Sequence, residues 1–164
     1  MNSVTPLHYI DYMQTPVGLL EIQASEKGIS RVIFCESKNS ESTPNSHTQN
    51  CKQQLEEYFA GKRQTFDLPL DQVGTKFQQQ VWHCLLQLPF GTSASYGQIA
   101  NMMDNPKAVR AVGAANGKNP ISIIVPCHRV IGQNGTLTGY AGGLTRKAWL
   151  LNHENISYRE LATK

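Results

Sequence analysis

Two residue types that could do chemistry stand side by side at Cys127-His128, between Pro126 and Arg129. Cysteine reacts as the thiolate, and a free thiol with a pKa of ~8.5 is only a few per cent ionised at neutral pH. A neighbouring imidazole can accept that proton, so the pair predicts a cysteine nucleophile with a histidine base. Because successive side chains on a strand point to opposite faces, the two can cooperate only on a turn or through a water molecule.

The residues before this pair predict how the chain presents it. The apolar run 121–125 predicts a short buried strand, and Pro126 ends it because proline cannot donate to a strand ladder. A second neighbouring pair, His83-Cys84, lies in an amphipathic helical pattern, and we expect it to be structural. Neither pair has partners at zinc-ligand spacing, so we predict no metal site and no cofactor.

Composition limits the class of protein. A chain of 164 residues can form one ordinary domain or two small ones. Its four cysteines (35, 51, 84 and 127) show no CxxC spacing, and residues 1–9 do not resemble a signal peptide. We therefore expect free thiols and a cytoplasmic location. No stretch approaches the ~20 apolar residues of a membrane helix, so no membrane partner is expected.

Charge is divided unevenly along the chain. Residues 1–75 carry six Lys/Arg against nine Asp/Glu, a net charge of −3, whereas residues 76–164 carry nine against three, a net charge of +6. The positive half holds the Cys-His pair, which suits a partner with a phosphate backbone. Many proteins that bind no nucleic acid carry a similar charge, so this feature alone leaves the partner open.

The first half predicts a small α/β unit. Strands are expected at 9–13, 19–25 and 29–35, followed by a polar loop at 36–49 and a helix at 50–60. Residues 62–74, with Pro69 and Gly74, resemble a connection between domains. Nothing in this half indicates chemistry.

The second half predicts a bundle of helices. Thr75 with Gln78 and Ser95 with Gln98 form two capping boxes, each of which opens a helix. Pro106 suits the first position of a third helix that continues to about residue 116. Two helices joined by a tight turn predict a helix-turn-helix motif.

The predicted helix 106–116 consists almost entirely of small residues, with Arg110 as the one long side chain after its first turn. One interpretation is close packing of this helix in the core. The other is a thin helix that enters a DNA groove. Composition alone does not decide between them.

Beyond the Cys-His pair the sequence predicts a tight turn at 132–135 and a flexible loop at 139–143. A last helix is expected at 145–155, with Leu144, Ala148 and Leu151 facing inward, and it brings Glu154 toward the core. The residues after Tyr158 are expected to form a frayed tail.

The segment Ile-Val-Pro-Cys-His-Arg-Val-Ile (124–131) resembles the active-site signature of the O6-alkylguanine-DNA alkyltransferases, or methylated-DNA–protein-cysteine methyltransferases, of the bacterial ogt type. Further similar segments occur in the family's order and spacing: Ser95-Tyr96-Gly97-Gln98, the stretches 105–113 and 116–120, Gly139-Tyr140-Ala141-Gly142-Gly143-Leu144, and the stretch 149–154. The resemblance is specific over about residues 75–158 and weak before them.

This resemblance implies an α/β (α+β) protein with a small ribonuclease-H-like N-terminal domain, residues 1–70, and a winged helix-turn-helix-like alkyltransferase domain, residues 75–158. It implies DNA repair in which an alkyl group moves from guanine O6 to Cys127, and it leaves open whether thymine O4 is a second source of the alkyl group. The product is a thioether that cellular thiols do not reduce, so each molecule reacts once. The implied partner is double-stranded DNA that carries O6-alkylguanine, and we expect a monomer.

The resemblance also implies catalytic roles. Glu154 orients His128, which draws the proton from Cys127 through a water molecule. Tyr96 donates a proton to the leaving base, and Lys147 lies near it. The residues implied in substrate binding are Asn119, Val130, Tyr140, Ala141 and Gly142. Of these, Ala141 stands where some relatives carry serine, and we predict a roomy pocket that accepts alkyl groups larger than methyl.

For DNA, the resemblance implies that Arg110 fills the space left in the base stack when the damaged nucleotide rotates out. Tyr96 and the small residues of the second motif helix lie against the minor groove. Those small residues are Ala108, Ala111, Gly113 and Ala115.

Two other functions stay open at this point. A DNA-binding module without transferase activity would use the same helix-turn-helix motif, although the presence of Cys127 argues against it. A cysteine hydrolase would use Cys127, His128 and Glu154 but would turn over repeatedly.

Overall fold

The computed structural model describes residues 8–160, and the chain divides into two compact units between residues 73 and 74. Within the described range, no helix is long and apolar enough to cross a membrane. In chain order the elements are β1 Tyr9–Thr15, β2 Gly18–Ala24, β3 Ile29–Cys35, α1 Ser46–Phe59, α2 Lys76–Leu86, β4 Ala94–Ser95, α3 Tyr96–Met102, α4 Val109–Gly117, a 3₁₀ turn Cys127–Arg129, β5 Val130–Ile131 and α5 Leu144–His153.

The N-terminal unit is an antiparallel sheet in the order β1-β2-β3 with α1 packed on it. All three strands lie close to their predicted positions. One face of the sheet is apolar because side chains alternate along a strand, and it meets one stripe of α1. The fully buried side chains of this core include Leu20, Ile22, Val32, Leu55 and Tyr58.

Two predictions in this unit need correction. Helix α1 begins at Ser46, four residues earlier than predicted, because Asn45 caps it in a box with Thr48. The pattern went unrecognised because the third residue is a threonine rather than the usual glutamate or glutamine. The connector also starts later than predicted, since the backbone of Ile29 exchanges hydrogen bonds with Pro69 and Asp71.

The C-terminal unit packs α2, α3 and α4 against one another. Both predicted capping boxes are present, with Thr75 and Ser95 as the N-caps of α2 and α3. The buried Trp82 of α2 donates its indole N–H to the carbonyl oxygen of Ala115 on α4, at 2.9 Å. The short parallel pair β4-β5 brings the start of α3 beside the end of the 3₁₀ turn.

The predicted start of the third helix at Pro106 is wrong. Helix α4 begins at Val109, and Ala108 is an N-cap without a side-chain hydrogen bond. The preceding residues form turns, and Asp104 has a φ of 56°.

The predicted strand at 121–125 is also wrong. The segment is buried as expected but consists of turns, with Ile123 at a φ of 73°. The Asn119 side chain replaces strand partners: it accepts from the Ile121 amide at 3.0 Å and donates to the carbonyl oxygens of Ile121 and Val125, at 3.2 and 2.8 Å.

The C-terminal end differs from prediction in two ways. Leu144 at the start of α5 is 40% exposed rather than inward-facing, whereas Leu151 is fully buried. The predicted fraying after Tyr158 does not include Arg159, because its backbone forms hydrogen bonds with the backbone of Gly135 and Leu137. Residues 161–164 of the predicted tail lie outside the described residues, as do residues 1–7 of the N-terminal stretch that does not resemble a signal peptide.

Candidate active site

The Cys-His pair lies on the 3₁₀ turn Cys127–Arg129, which the Arg129 amide closes by donating to the Pro126 carbonyl at 3.0 Å. All three side chains of the turn are buried. With about three residues per turn, a 3₁₀ helix does not send successive side chains to opposite faces as a strand does. The turn therefore meets the condition under which neighbouring residues can cooperate.

His128 is oriented by a carboxylate. Its Nε2 lies 2.7 Å from Glu154 Oε2, and both side chains are fully buried. Its Nδ1 has no hydrogen-bond partner among the described residues. In the neutral tautomer that this network favours, Nε2 carries the hydrogen and donates it to Glu154, which leaves the Nδ1 lone pair free to accept a proton.

Glu154 is held by Arg129 as well. The Arg129 guanidinium donates to both carboxylate oxygens, at 2.7 and 3.2 Å, and to the Leu88 carbonyl oxygen at 2.6 Å. Burial raises the pKa of Glu154, but the hydrogen bonds from His128 and Arg129, together with the charge of Arg129, outweigh burial and hold this pKa well below the usual range. Arg129 was not among the predicted site residues, although it stands in the motif itself.

Burial also sets the resting state of the reactive pair. It raises the pKa of the Cys127 thiol, against the lowering effects of Asn119 and Lys147. It lowers the pKa of His128 below its ordinary 6.5, against the raising effect of Glu154. Both groups are therefore neutral at physiological pH, so the resting site holds a thiol and an uncharged imidazole.

Lys147 is fully buried and donates to three oxygens: the Val130 carbonyl at 2.6 Å, the Thr138 hydroxyl at 3.3 Å and the Gly139 carbonyl at 3.4 Å. Burial lowers its pKa to about 8, although the nearby Cys127 acts in the opposite direction. The Tyr96 hydroxyl lies 2.8 Å from the Thr138 hydroxyl. Thr138, which sequence reasoning did not single out, thus links two predicted catalytic residues.

A cavity of about 200 Å³ opens beside Cys127. Its walls come from α3, α4, the 3₁₀ turn and the loop before α5, and they are formed by Tyr96, Gly113, Asn116, Gly117, Cys127, Gly139, Tyr140 and Ala141. Five of these eight were predicted site residues, which the fold brings together from distant positions in the chain. Burial raises the pKa of Tyr140 well above 10.0, with Cys127 as the next contributor.

Three predicted binding residues do not line this cavity. Asn119 organises the turn before Cys127, and the Val130 carbonyl is engaged by Lys147. Gly142 lies beside the cavity loop, and its carbonyl accepts from Arg146. Conversely, Asn116 lines the cavity and was missed, and its Oδ1 is buried without a hydrogen-bond partner among the described residues.

Helix α4 presents small residues to solvent rather than to the core. Ala111 and Arg110 are exposed, as are Ala114, Gly117 and Lys118. Ala108 and Gly113 are half-buried, and Ala115 is buried against α2. Close packing in the core thus accounts for Val112 and Ala115 but leaves a thin, exposed face unexplained.

Across residues 8–160, no three His, Cys, Asp or Glu side chains lie close enough together to hold a metal ion. Cys127 and Tyr96 line one cavity, and Cys127 is followed on the 3₁₀ turn by His128, which is hydrogen-bonded to the buried Glu154 carboxylate. A thiol, an imidazole paired with a carboxylate and a phenol could serve as nucleophile, base and acid.

Comparison with known proteins gives two family matches along the chain. Residues 76–156 match the DNA-binding domain of 6-O-methylguanine DNA methyltransferase, and residues 8–72 match its ribonuclease-like domain. The mixed fold, with a small ribonuclease-like N-terminal part followed by a DNA-binding part, is therefore as expected.

Individual relatives agree. The constitutive methylated-DNA–protein-cysteine methyltransferase of Bacillus subtilis (strain 168) is 49% identical over 94% of this chain and 99% of its own length. That of Methanosarcina acetivorans is 46% identical over 89% of this chain and 97% of its own.

Solved structures are similar as well. The crystal structure of Mycobacterium tuberculosis O6-methylguanine methyltransferase matches with a TM-score of 0.81 at 43% identity, covering 90% of this chain and 92% of that one. The structure of Mycobacterium tuberculosis OGT in complex with DNA matches with a TM-score of 0.79 at 45% identity, covering 87% and 90%. With both parts matched in order, the chain belongs to the 6-O-methylguanine DNA methyltransferase family.

Proposed function

We propose that this protein repairs double-stranded DNA by moving an alkyl group from guanine O6 to the sulfur of its own Cys127. The observation that carries this proposal is a buried cysteine on the wall of a cavity that two tyrosines also line, next to a histidine whose Nε2 is hydrogen-bonded to a buried carboxylate. Family membership supports the same activity. The relatives are named methylated-DNA–protein-cysteine methyltransferases, and this chain matches them over nearly their whole length.

The chemistry follows from the network. A bond forms between Cys127 Sγ and the alkyl carbon while the bond from that carbon to O6 breaks. The thiol proton passes through a water molecule to His128 Nδ1, and Glu154 stabilises the imidazolium that results. The product is a thioether, and nothing in the network regenerates a thiol from it, so each molecule reacts once.

The departing guanine needs a proton, because a purine anion is a poor leaving group. Tyr96 lines the same cavity as Cys127 and can donate it. Lys147 supports Tyr96 through the hydroxyl of Thr138. The guanine would lose its alkyl group, remain in the DNA and carry no charge.

A nucleotide in a duplex cannot reach a buried thiol, so it must rotate out of the stack, at a cost of a few kcal/mol that is lower for a damaged pair. The exposed small face of α4 suits close approach to a groove, and Arg110 on that face suits filling the vacated space. The net charge of +6 on residues 76–164 supports the backbone contacts.

Finer features of the proposal concern the substrate. Ala141 is exposed at the cavity wall and carries no side-chain hydroxyl, which supports acceptance of alkyl groups larger than methyl. Ala141→Ser should slow the transfer of ethyl or butyl groups relative to methyl, and an unchanged ratio would remove this inference.

The direct test is the intact mass of the protein after reaction with an excess of duplex containing one O6-methylguanine, followed by peptide mapping. We expect one methyl group per molecule, on Cys127, and no further reaction. Cys127→Ala should remain unmodified, whereas Cys84→Ala, which alters the other His-Cys neighbour pair, should react like the wild type. Absence of methylation with DNA binding retained, or repeated turnover, would overturn the proposal.

A further inference from the structure

Thr138 occupies the point where two functional side chains meet. It lies in the loop between β5 and α5, and its hydroxyl oxygen is 2.8 Å from the Tyr96 hydroxyl and 3.3 Å from Lys147 Nζ. Tyr96 and Lys147 have no direct hydrogen bond to each other in the described structure. Any coupling between them through hydrogen bonds therefore passes through Thr138.

The direction of these hydrogen bonds follows from counting donors. A lysine ammonium has three N–H groups and no acceptor, and Lys147 faces three oxygens, of Val130, Thr138 and Gly139. The Thr138 oxygen must therefore accept from Lys147. Its own hydroxyl hydrogen remains available for the Tyr96 oxygen, and in that arrangement the Tyr96 hydrogen is free to point into the cavity.

We propose that Thr138 is a positioning residue that holds Tyr96 as the proton donor and connects it to Lys147 during alkyl transfer. This inference rests on the proposed function. As the base departs, the Tyr96 O–H bond breaks and an N–H bond forms on the purine. Tyr96 then takes the Thr138 hydrogen, and Thr138 takes one from Lys147, which is left as a neutral amine. No oxidant or reductant is needed.

The surroundings of Lys147 favour this transfer. Its ammonium is fully buried and has a pKa lowered to about 8, mainly by burial, so it gives up a proton more readily than an exposed lysine does. Among the described residues, Thr138 is also the only hydrogen-bond partner of the Tyr96 hydroxyl. Loss of the Thr138 hydroxyl would therefore leave the Tyr96 hydroxyl without a fixed orientation.

The test is the single-turnover rate of methyl transfer from duplex DNA containing O6-methylguanine. Thr138→Val keeps the shape but removes the hydroxyl, and we expect a rate about tenfold lower, as for the loss of one hydrogen bond in a transition state. Thr138→Ser should restore the rate to within about twofold. Thr136→Val, whose hydroxyl bonds Asn134 away from the cavity, is the matched control and should not change it.

Two further measurements separate positioning from structural damage. In a Tyr96→Phe background, Thr138→Val should slow transfer by less than about twofold. Thr138 is proposed to act through the Tyr96 hydroxyl, and this background lacks that hydroxyl. The ratio of wild-type to Thr138→Val rates should shrink above pH 8, where Lys147 loses its charge. A pH-independent ratio, or an equal loss in the Tyr96→Phe background, would overturn the inference.

The outcome also distinguishes the two proposals. If the wild type transfers no methyl group, the proposed function fails. If the wild type transfers and Thr138→Val transfers equally fast, only the role of Thr138 fails.

Discussion

Glu154→Gln tests whether the buried charges of the site stabilise the fold and orient His128. The carboxylate is fully buried and serves two partners, with His128 at 2.7 Å and Arg129 at 2.7 and 3.2 Å. Glutamine keeps the shape of the side chain but removes its charge. The Arg129 guanidinium would then stay buried without a counter-ion.

The expected cost can be worked out from this geometry. Breaking a buried ion pair by removing one partner costs about 3–5 kcal/mol, a large part of the ~5–15 kcal/mol that stabilises a typical protein. At about 2–4 °C per kcal/mol for a chain of this size, the melting temperature should fall by about 6–20 °C. Because glutamine carries no charge to stabilise a His128 imidazolium, methyl transfer should slow by about 100-fold or more.

The assay is calorimetric melting of the full chain, with the single-turnover transfer rate measured on the same samples. Glu57→Gln is the matched control, since Glu57 forms a pair with Arg63 at 2.8 Å that is partly exposed. Exposed pairs contribute only about 0–1 kcal/mol, so this variant should melt within a few degrees of the wild type and react normally.

A double variant makes the test decisive. Arg129→Met together with Glu154→Gln leaves no unpaired buried charge, so it should melt at a higher temperature than Glu154→Gln alone. If Glu154→Gln melts like the wild type, or if the two substitutions destabilise additively, then the ion pair does not hold this site together.

The remaining predictions concern pH, DNA and strain. Burial holds the pKa of His128 below 6.5 in the folded protein. As the pH falls through 6.5, His128 therefore binds a proton in the unfolded chain before it does so in the folded protein. Stability should therefore fall between about pH 7.5 and about pH 5.5 in urea titrations, and less so in His128→Gln; equal slopes would contradict this. Arg110→Ala should slow repair of duplex much more than transfer from the free modified base, whereas Lys118→Ala should mainly reduce the salt dependence of binding; equal slowing of both substrates would exclude the insertion role. Ile123→Gly should destabilise the protein by about 1–3 kcal/mol less than Ile121→Gly, because glycine relieves the positive φ at 123; equal losses would show that no strain is stored there.

Local signals predicted the scaffold well. The capping boxes at Thr75 and Ser95 and the apolar alternation of the three strands each depend on neighbours within a few residues. The resemblance supplied the family and its fold, which the comparisons confirm. The domain limits 1–70 and 75–158 and the individual site roles stay predictions.

What the sequence did not reveal depends on contacts between distant residues. The apolar run 121–125 is typical of a strand, but the Asn119 side chain bonds its backbone groups from within the same loop, so turns form instead. Arg129 and Thr138 show no local sign of their roles, because their partners Glu154 and Tyr96 lie 25 and 42 positions away.

The turn expected after Pro126 is a 3₁₀ turn, and it accounts for how the neighbouring residues Cys127 and His128 could cooperate. On a strand, Cys127 and His128 would have pointed to opposite faces. The turns held by Asn119, with Ile123 in a left-handed conformation, lead the chain from the core into the 3₁₀ turn. That conformation is unfavourable for a β-branched residue, and the buried Asn119 hydrogen bonds help to hold the segment in it.

Burial of the thiol is consistent with a protein that reacts once. A cysteine with a lowered pKa and an open surface would be oxidised or alkylated by small molecules before it met its substrate. Here burial keeps Cys127 protonated, and His128 is oriented by Glu154 but still neutral. In the proposed reaction, the thiolate forms only when an electrophile occupies the cavity and the proton can move to His128, so a thiol that reacts once is kept for its substrate.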